Sequence, residues 1–137
     1  MTNADPRFMD TFDATWNTHN VPAIMEHFTN DAAAHLAPPP PPPLQAAYVG
    51  KDEVRRFVET LMPGFRVDSR DAHVQGDTIV WQSDVSFDVL RHFGVEVAHT
   101  RTEVTLRDGK VASFTATFTP ETLAEFEAAA RRAGQPA

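Results

Sequence analysis

Asp84 is the residue of this chain best suited by its setting to proton chemistry. It lies in the stretch Ile79–Val89, where Ile79, Trp81, Val85 and Phe87 alternate with Val80, Gln82, Asp84, Ser86 and Asp88. A period of two marks a strand with two chemically different sides. If the polar side meets water, Asp84 is an ordinary solvated or hydrogen-bonded strand carboxylate. If that side lines an internal cavity, desolvation raises its pKa and fits it to act as a general acid or base.

Other groups offer less. His99, Arg101 and Glu103 alternate along one strand like a charge relay, but such runs usually form solvent or subunit-interface ion pairs. His19, His27, His35 and His73 are scattered without ligand-like spacing, and HExxH is absent, so no metal site is expected. There is no cysteine, which removes disulfides, thiolate catalysis and cysteine-based zinc sites. No Gly-rich phosphate loop follows a strand, and nothing else in the chain implies a cofactor. The pair Arg131-Arg132 is an ordinary cationic helix end.

The totals bound the function further. The 137 residues suffice for one domain over 1–137, and 42% apolar with 23% charged residues is typical of a globular protein. A formal charge of −7 argues against nucleic acid and against an anionic membrane surface. No apolar run approaches a membrane span, and the start of the chain lacks a basic segment followed by an apolar one. A cytoplasmic protein facing small molecules is the expectation.

The elements that must position these residues follow from periodicity. Phe8, Met9, Phe12 and Trp16 have helical spacing, and Pro22 opens a second helix with Ile24, Met25 and Phe28 as its stripe. Ala32–Ala37 reads as a short strand. The run Pro38–Pro43 is locked in polyproline II geometry, as a ligand for a proline-recognising partner or as a stiff connecting loop. Gly50–Leu61 is the third helix, with Val54, Phe57, Val58 and Leu61 buried, and Pro63-Gly64 stops it. Strands follow over Phe65–Val74, Ile79–Val89, Val95–Leu106 and Val111–Phe118, the last two joined by an Asp108-Gly109 hairpin turn. A final helix covers Glu121–Arg132. Helices followed by an antiparallel meander make an α+β fold.

This order of elements, with the strings VPAIMEHFTND (21–31), YVGKDEVRRFV (48–58) and LRDGKV (106–111), resembles the nuclear transport factor two-like superfamily, in its SnoaL-like, limonene epoxide hydrolase and ketosteroid isomerase branch. The resemblance implies a cone-shaped barrel in which a curved antiparallel sheet wraps N-terminal helices, as in cystatin-like folds. It also implies an apolar pocket on the concave face, and a homodimer through the convex face.

Carried over residue by residue, the hydrolase pattern matches Asp84 alone: its Arg falls at Gln82, its second Asp at Ala116, and its Tyr and Asn near Ala34 and Leu36. The isomerase residues fall near Phe12, Leu36 and Thr102, and none survives. The same registration turns Gln82, Asp84 and Ser86 into the pocket, with Asp13, Trp16, Thr100, Thr102, Phe114, Ala116 and Phe118. It leaves Trp81, Val85 and Phe87 for a subunit contact. The resulting expectation is a protein binding a small apolar molecule, with catalysis centred on Asp84 and ligand contacts from Asp13, Trp16, Gln82, Thr100, Thr102, Phe114 and Phe118. A non-catalytic binding or interaction module is the alternative.

Overall fold

The computed structural model describes residues 5–40 and 42–134. Pro41 of the proline run and residues 1–4, within the stretch read for a secretory signal, lie outside the described residues. Helices α1 (Phe8–Asn17), α2 (Val21–Met25) and α3 (Lys51–Leu61) interleave with strands β1 (Phe28–Ala37) and β2 (Ala47–Val49). Then come β3 (Arg66–Gln75), β4 (Thr78–Ser86), α4 (Asp88–His92), β5 (Ala98–Arg107), β6 (Lys110–Phe118) and α5 (Pro120–Gly134).

The six strands form one sheet in the order β2-β1-β6-β5-β4-β3. It is curved and α+β, as expected, but it stays open rather than closing into a barrel, and it is not antiparallel throughout. β1 runs parallel to β6, the last strand, beside which it lies in the sheet. β1 is also longer than its expected Ala32–Ala37. It begins at Phe28, which the helical stripe had claimed for α2. The short strand β2 and helix α4 were not expected: three residues carry no period, and α4 continues directly from an alternating run.

Local chemistry accounts for the helix and turn positions. Asn20 caps α2 by accepting the Ala23 N–H at 3.1 Å, and Pro22 occupies the first turn. Asp52 and Glu53 complement the positive end of α3. The β5–β6 hairpin turns at Asp108 (φ 54°) and Gly109 (φ 78°), the two positive-φ residues that a tight turn of this hand requires. In β3 the register against β4 shifts between Arg70 and His73, with Asp71 at φ 61°, and such a bulge bends the sheet. Gly64 is irreplaceable for space: at φ 69° an added Cβ would lie 2.2 Å from Arg91 and Asp88 side-chain atoms.

α1 lies across β3, and α3 across β1 and β2, so the helices cover one face of the sheet. Phe12, Trp16, Phe57, Phe28 and Trp81 meet between the layers and are almost wholly buried. Eight aromatic rings end up around one space.

Candidate functional site

That space is a cavity of about 80 Å³ between the helices and the concave face of the sheet. Aromatic rings form most of its wall: Phe12 and Trp16 from α1, Phe57 from α3, Phe65 after it, Trp81 from β4, and Phe114 and Phe118 from β6. They hold one another in tilted and edge-on contacts, with ring centres 5.3 Å apart for Trp16–Phe65 and 6.0 Å for Phe12–Trp81. Leu44, placed just after the prolines and 4% exposed, completes the wall on the β1–β2 side.

One side is polar. Asp13 Oδ1 accepts the Ser69 hydroxyl at 2.9 Å, and Ser69 Oγ lies 2.8 Å from Ser83 Oγ. Ser83 in turn is 3.3 Å from Thr102 Oγ1, itself 3.3 Å from Thr100 Oγ1. Asp13, Ser83, Thr100 and Thr102 all line the cavity. When Asp13 is ionised it only accepts, so Ser69 must donate to it and the hydroxyls behind can all orient the same way.

Burial pushes the Asp13 carboxyl pKa up, against the pull of the Ser69 hydrogen bond. The negative charges of Asp68 and Asp10 push in the same upward direction. Among the described residues no cationic side chain pairs with Asp13, whereas Asp5, Asp31, Asp84 and Asp88 all have partners. Trp16 carries a second unmet need. Its Nε1–H is buried without an acceptor, a deficit of about 1–3 kcal/mol for such a group.

The expected pocket residues divide in two. Asp13, Trp16, Thr100, Thr102, Phe114, Ala116 and Phe118 line the cavity, whereas Gln82, Asp84 and Ser86 do not. The expected orientation of β4 is thus corrected by one residue: Trp81, Ser83, Val85 and Phe87 point inward. The cause is the pairing register. Trp81 is opposite Thr102 and Ser83 opposite Thr100, while Gln82 faces Arg101 and Asp84 faces His99. Directly opposed residues share a face, so inward threonines on β5 require Trp81 and Ser83 inward as well.

Asp84 lies instead on the convex side, where Oδ1 accepts from His99 Nδ1 at 2.6 Å and Oδ2 from Arg70 at 3.1 Å. Burial opposes its ionisation, but the His99 hydrogen bond and the Arg70 charge outweigh it and hold the pKa below the usual range. Arg101 and Glu103 pair on this outer face too, at 3.5 Å. A second hollow of about 450 Å³ lies between α5 and the residues before β5. Glu96, His99, Glu125 and Arg132 give it charges of both signs, and no Phe, Tyr or Trp lines it. Among the described residues no cluster of His, Asp and Glu could hold a metal ion, and no helix is long and apolar enough to cross a membrane.

Ser69 and Ser83 were not singled out from the sequence. Ser83 sits in the apolar half of the β4 alternation, a polar residue on the wrong side, which was the available signal. Ser69 left none.

Residues 9–114 match the SnoaL-like domain, and the chain belongs to that family. Comparison with curated proteins by sequence finds no match. Among solved structures, the chain is similar to a nuclear transport factor two-like protein of unknown function from Cytophaga hutchinsonii. That likeness has a TM-score of 0.66 and 16% identity, over 90% of this chain and 98% of the other. A candidate polyketide cyclase from Sinorhizobium meliloti aligns with TM-score 0.64 and 16% identity, over 82% of this chain and 94% of its own. A candidate ketosteroid isomerase from Kribbella flavida gives TM-score 0.64 and 14% identity, over 83% and 77%. At these identities the likeness establishes the fold.

Proposed function

We propose that this protein binds a small, mostly apolar molecule inside the cone. The observation that carries the reading is the asymmetry of the cavity: aromatic rings on most sides and the row Asp13–Ser69–Ser83–Thr102–Thr100 on one. Ligand sites combine apolar walls with a few convergent polar groups that fix orientation. The free space falls below the ~300 Å³ at the lower end of such sites, so the occupant is on the order of one ring in size unless the side chains give way. An acceptor atom on it would satisfy the Trp16 N–H.

Proton transfer, cyclisation or hydrolysis of such a molecule would use Asp13 and not Asp84, since Asp13 is the carboxylate that lines the cavity. Kinship in fold with a candidate cyclase and a candidate isomerase is compatible with turnover. The small free volume favours binding without chemistry. The outer face of the sheet is proposed as the contact between two copies.

A thermal-shift series with single-ring and fused-ring compounds tests the reading. A ligand present at a hundred times its Kd raises stability by about 2.7 kcal/mol. Failure of every apolar compound to raise Tm, with no molecule retained from expression by native mass spectrometry, would sink it.

A further inference from the structure

Asp13 is an unbalanced charge in an aromatic room. Its neighbours add negative charge rather than remove it: Asp10 one turn earlier on α1, and Asp68 on β3. His27, which packs against α1 through Thr15, Phe8 and Phe12, has a pKa lowered by burial and supplies no cation at neutral pH. Ser69, Ser83, Thr100 and Thr102, the remaining polar groups of the row, are neutral. The cavity therefore combines a carboxylate lacking a counter-ion with the faces and edges of Trp16, Trp81, Phe12 and Phe65. Tryptophan gives the strongest attraction of any ring for a cation, and more so when water is excluded. A charge with no partner is tolerated at such a place only with a penalty that an incoming opposite charge relieves.

We infer that the occupant carries a protonated or quaternary amine, its cationic group set against Asp13 and its apolar body among the rings. The inference deepens the proposed binding function and rests on it. A cation beside Asp13 stabilises the ionised carboxylate, so binding and ionisation are linked. Affinity for an amine falls as the pH drops through the raised carboxyl pKa, while affinity for a neutral analogue stays flat. The formal charge of −7 on the chain also favours a cation on approach.

The test compares benzylamine, benzyl alcohol and toluene by calorimetry on the full chain. These share one ring and differ in the polar group, and the amine stays protonated throughout the acid and neutral range. Benzylamine should bind roughly tenfold tighter than benzyl alcohol near neutral pH. Asp13→Asn should erase that preference without weakening toluene, and Asp13→Glu should restore part of it. Asp84→Asn, outside the cavity, should leave the preference intact. Benzyl alcohol or toluene binding as tightly as benzylamine would overturn the cationic assignment and spare the apolar-binding reading. If none of the three binds, the cationic assignment falls, and the apolar-binding reading falls with it when the thermal-shift series and native mass spectrometry are blank as well. A single cooperative melting transition well above the assay temperature in Asp13→Asn separates lost recognition from lost folding, and a preference that persists in folded Asp13→Asn also refutes the inference.

Discussion

Asp13 and Asp84 show how one residue type takes opposite properties from its surroundings. Burial raises the Asp13 pKa, so the folded state holds its proton more tightly than the unfolded state does. Stability at this site is greatest at low pH and is lost as pH rises from the unfolded carboxyl value through the higher folded one. Asp13→Asn removes the titration. The Tm of the wild type, relative to this variant, should therefore fall as pH rises above the unfolded carboxyl value of about 4; a parallel pair of Tm–pH curves would show that the carboxyl is not perturbed. Asp84 runs the other way. Its folded pKa is depressed, so its contribution is present above the unfolded value and disappears as pH falls through the folded one. The group is a third exposed and its partners more so, which keeps the contribution small. Asp84→Asn should destabilise by about 0.5–1 kcal/mol at neutral pH, measured by urea unfolding. It should also leave ligand affinity unchanged. A binding defect in that variant would return Asp84 to the site.

At the scale of elements, β4 decides which side chains meet the ligand. Its alternation is plain in the sequence, with Ile79, Trp81, Val85 and Phe87 against Gln82, Asp84 and Ser86. Alternation alone does not say which side is inside, and a slip of one residue inverts the whole set. The bulk of Trp81 and Phe87 pointed inward, whereas the family registration drew Asp84 there. The same registration placed Thr100, Thr102, Phe114 and Phe118 within the cavity, where they are. Its error on β4 was detectable in principle, because Thr102 pairs with Trp81 and not with Gln82. That pairing depends on the connection through α4 between β4 and β5, a helix that the alternation of β4 did not reveal. Helices α1, α3 and α5, the Asp108-Gly109 turn and the strand count after α3 depended only on local spacing, and they were legible. The parallel β1–β6 contact and the Asp13–Ser69 bond, spanning 56 residues, were not. The face assignment makes a sharp stability contrast. Trp81→Ala, at 1% exposure, should lose about 3–5 kcal/mol, while exposed Gln82→Ala should stay within about 0.5 kcal/mol of wild type. Equal losses in chemical denaturation would contradict the orientation of the strand.

At the scale of the molecule, the sheet separates two surfaces of different character. Its concave side is apolar and covered by helices. The convex side presents Arg70, Asp84, His99, Arg101 and Glu103 in rows of alternating sign. Among the described residues the large exposed apolar side chains are Val49, Val74 and Val97, too few for hydrophobic burial alone to drive association of this face. A two-fold pairing of identical surfaces instead suits alternating charges, since each copy can offer an arginine where the other offers a carboxylate. The contact proposed between copies should then respond to charge rather than to bulk. In analytical ultracentrifugation the wild type should sediment at twice the 15.2 kDa of the chain, with dissociation favoured by added salt. Arg101→Glu places a like charge beside Glu103 on every copy and should shift the protein to monomer without changing its Tm by more than a few degrees. A wild type that remains monomeric across the concentration series would refute the pairing. A dimer insensitive to both salt and Arg101→Glu would move it to another face, because no interface built on this row of charges could survive their reversal.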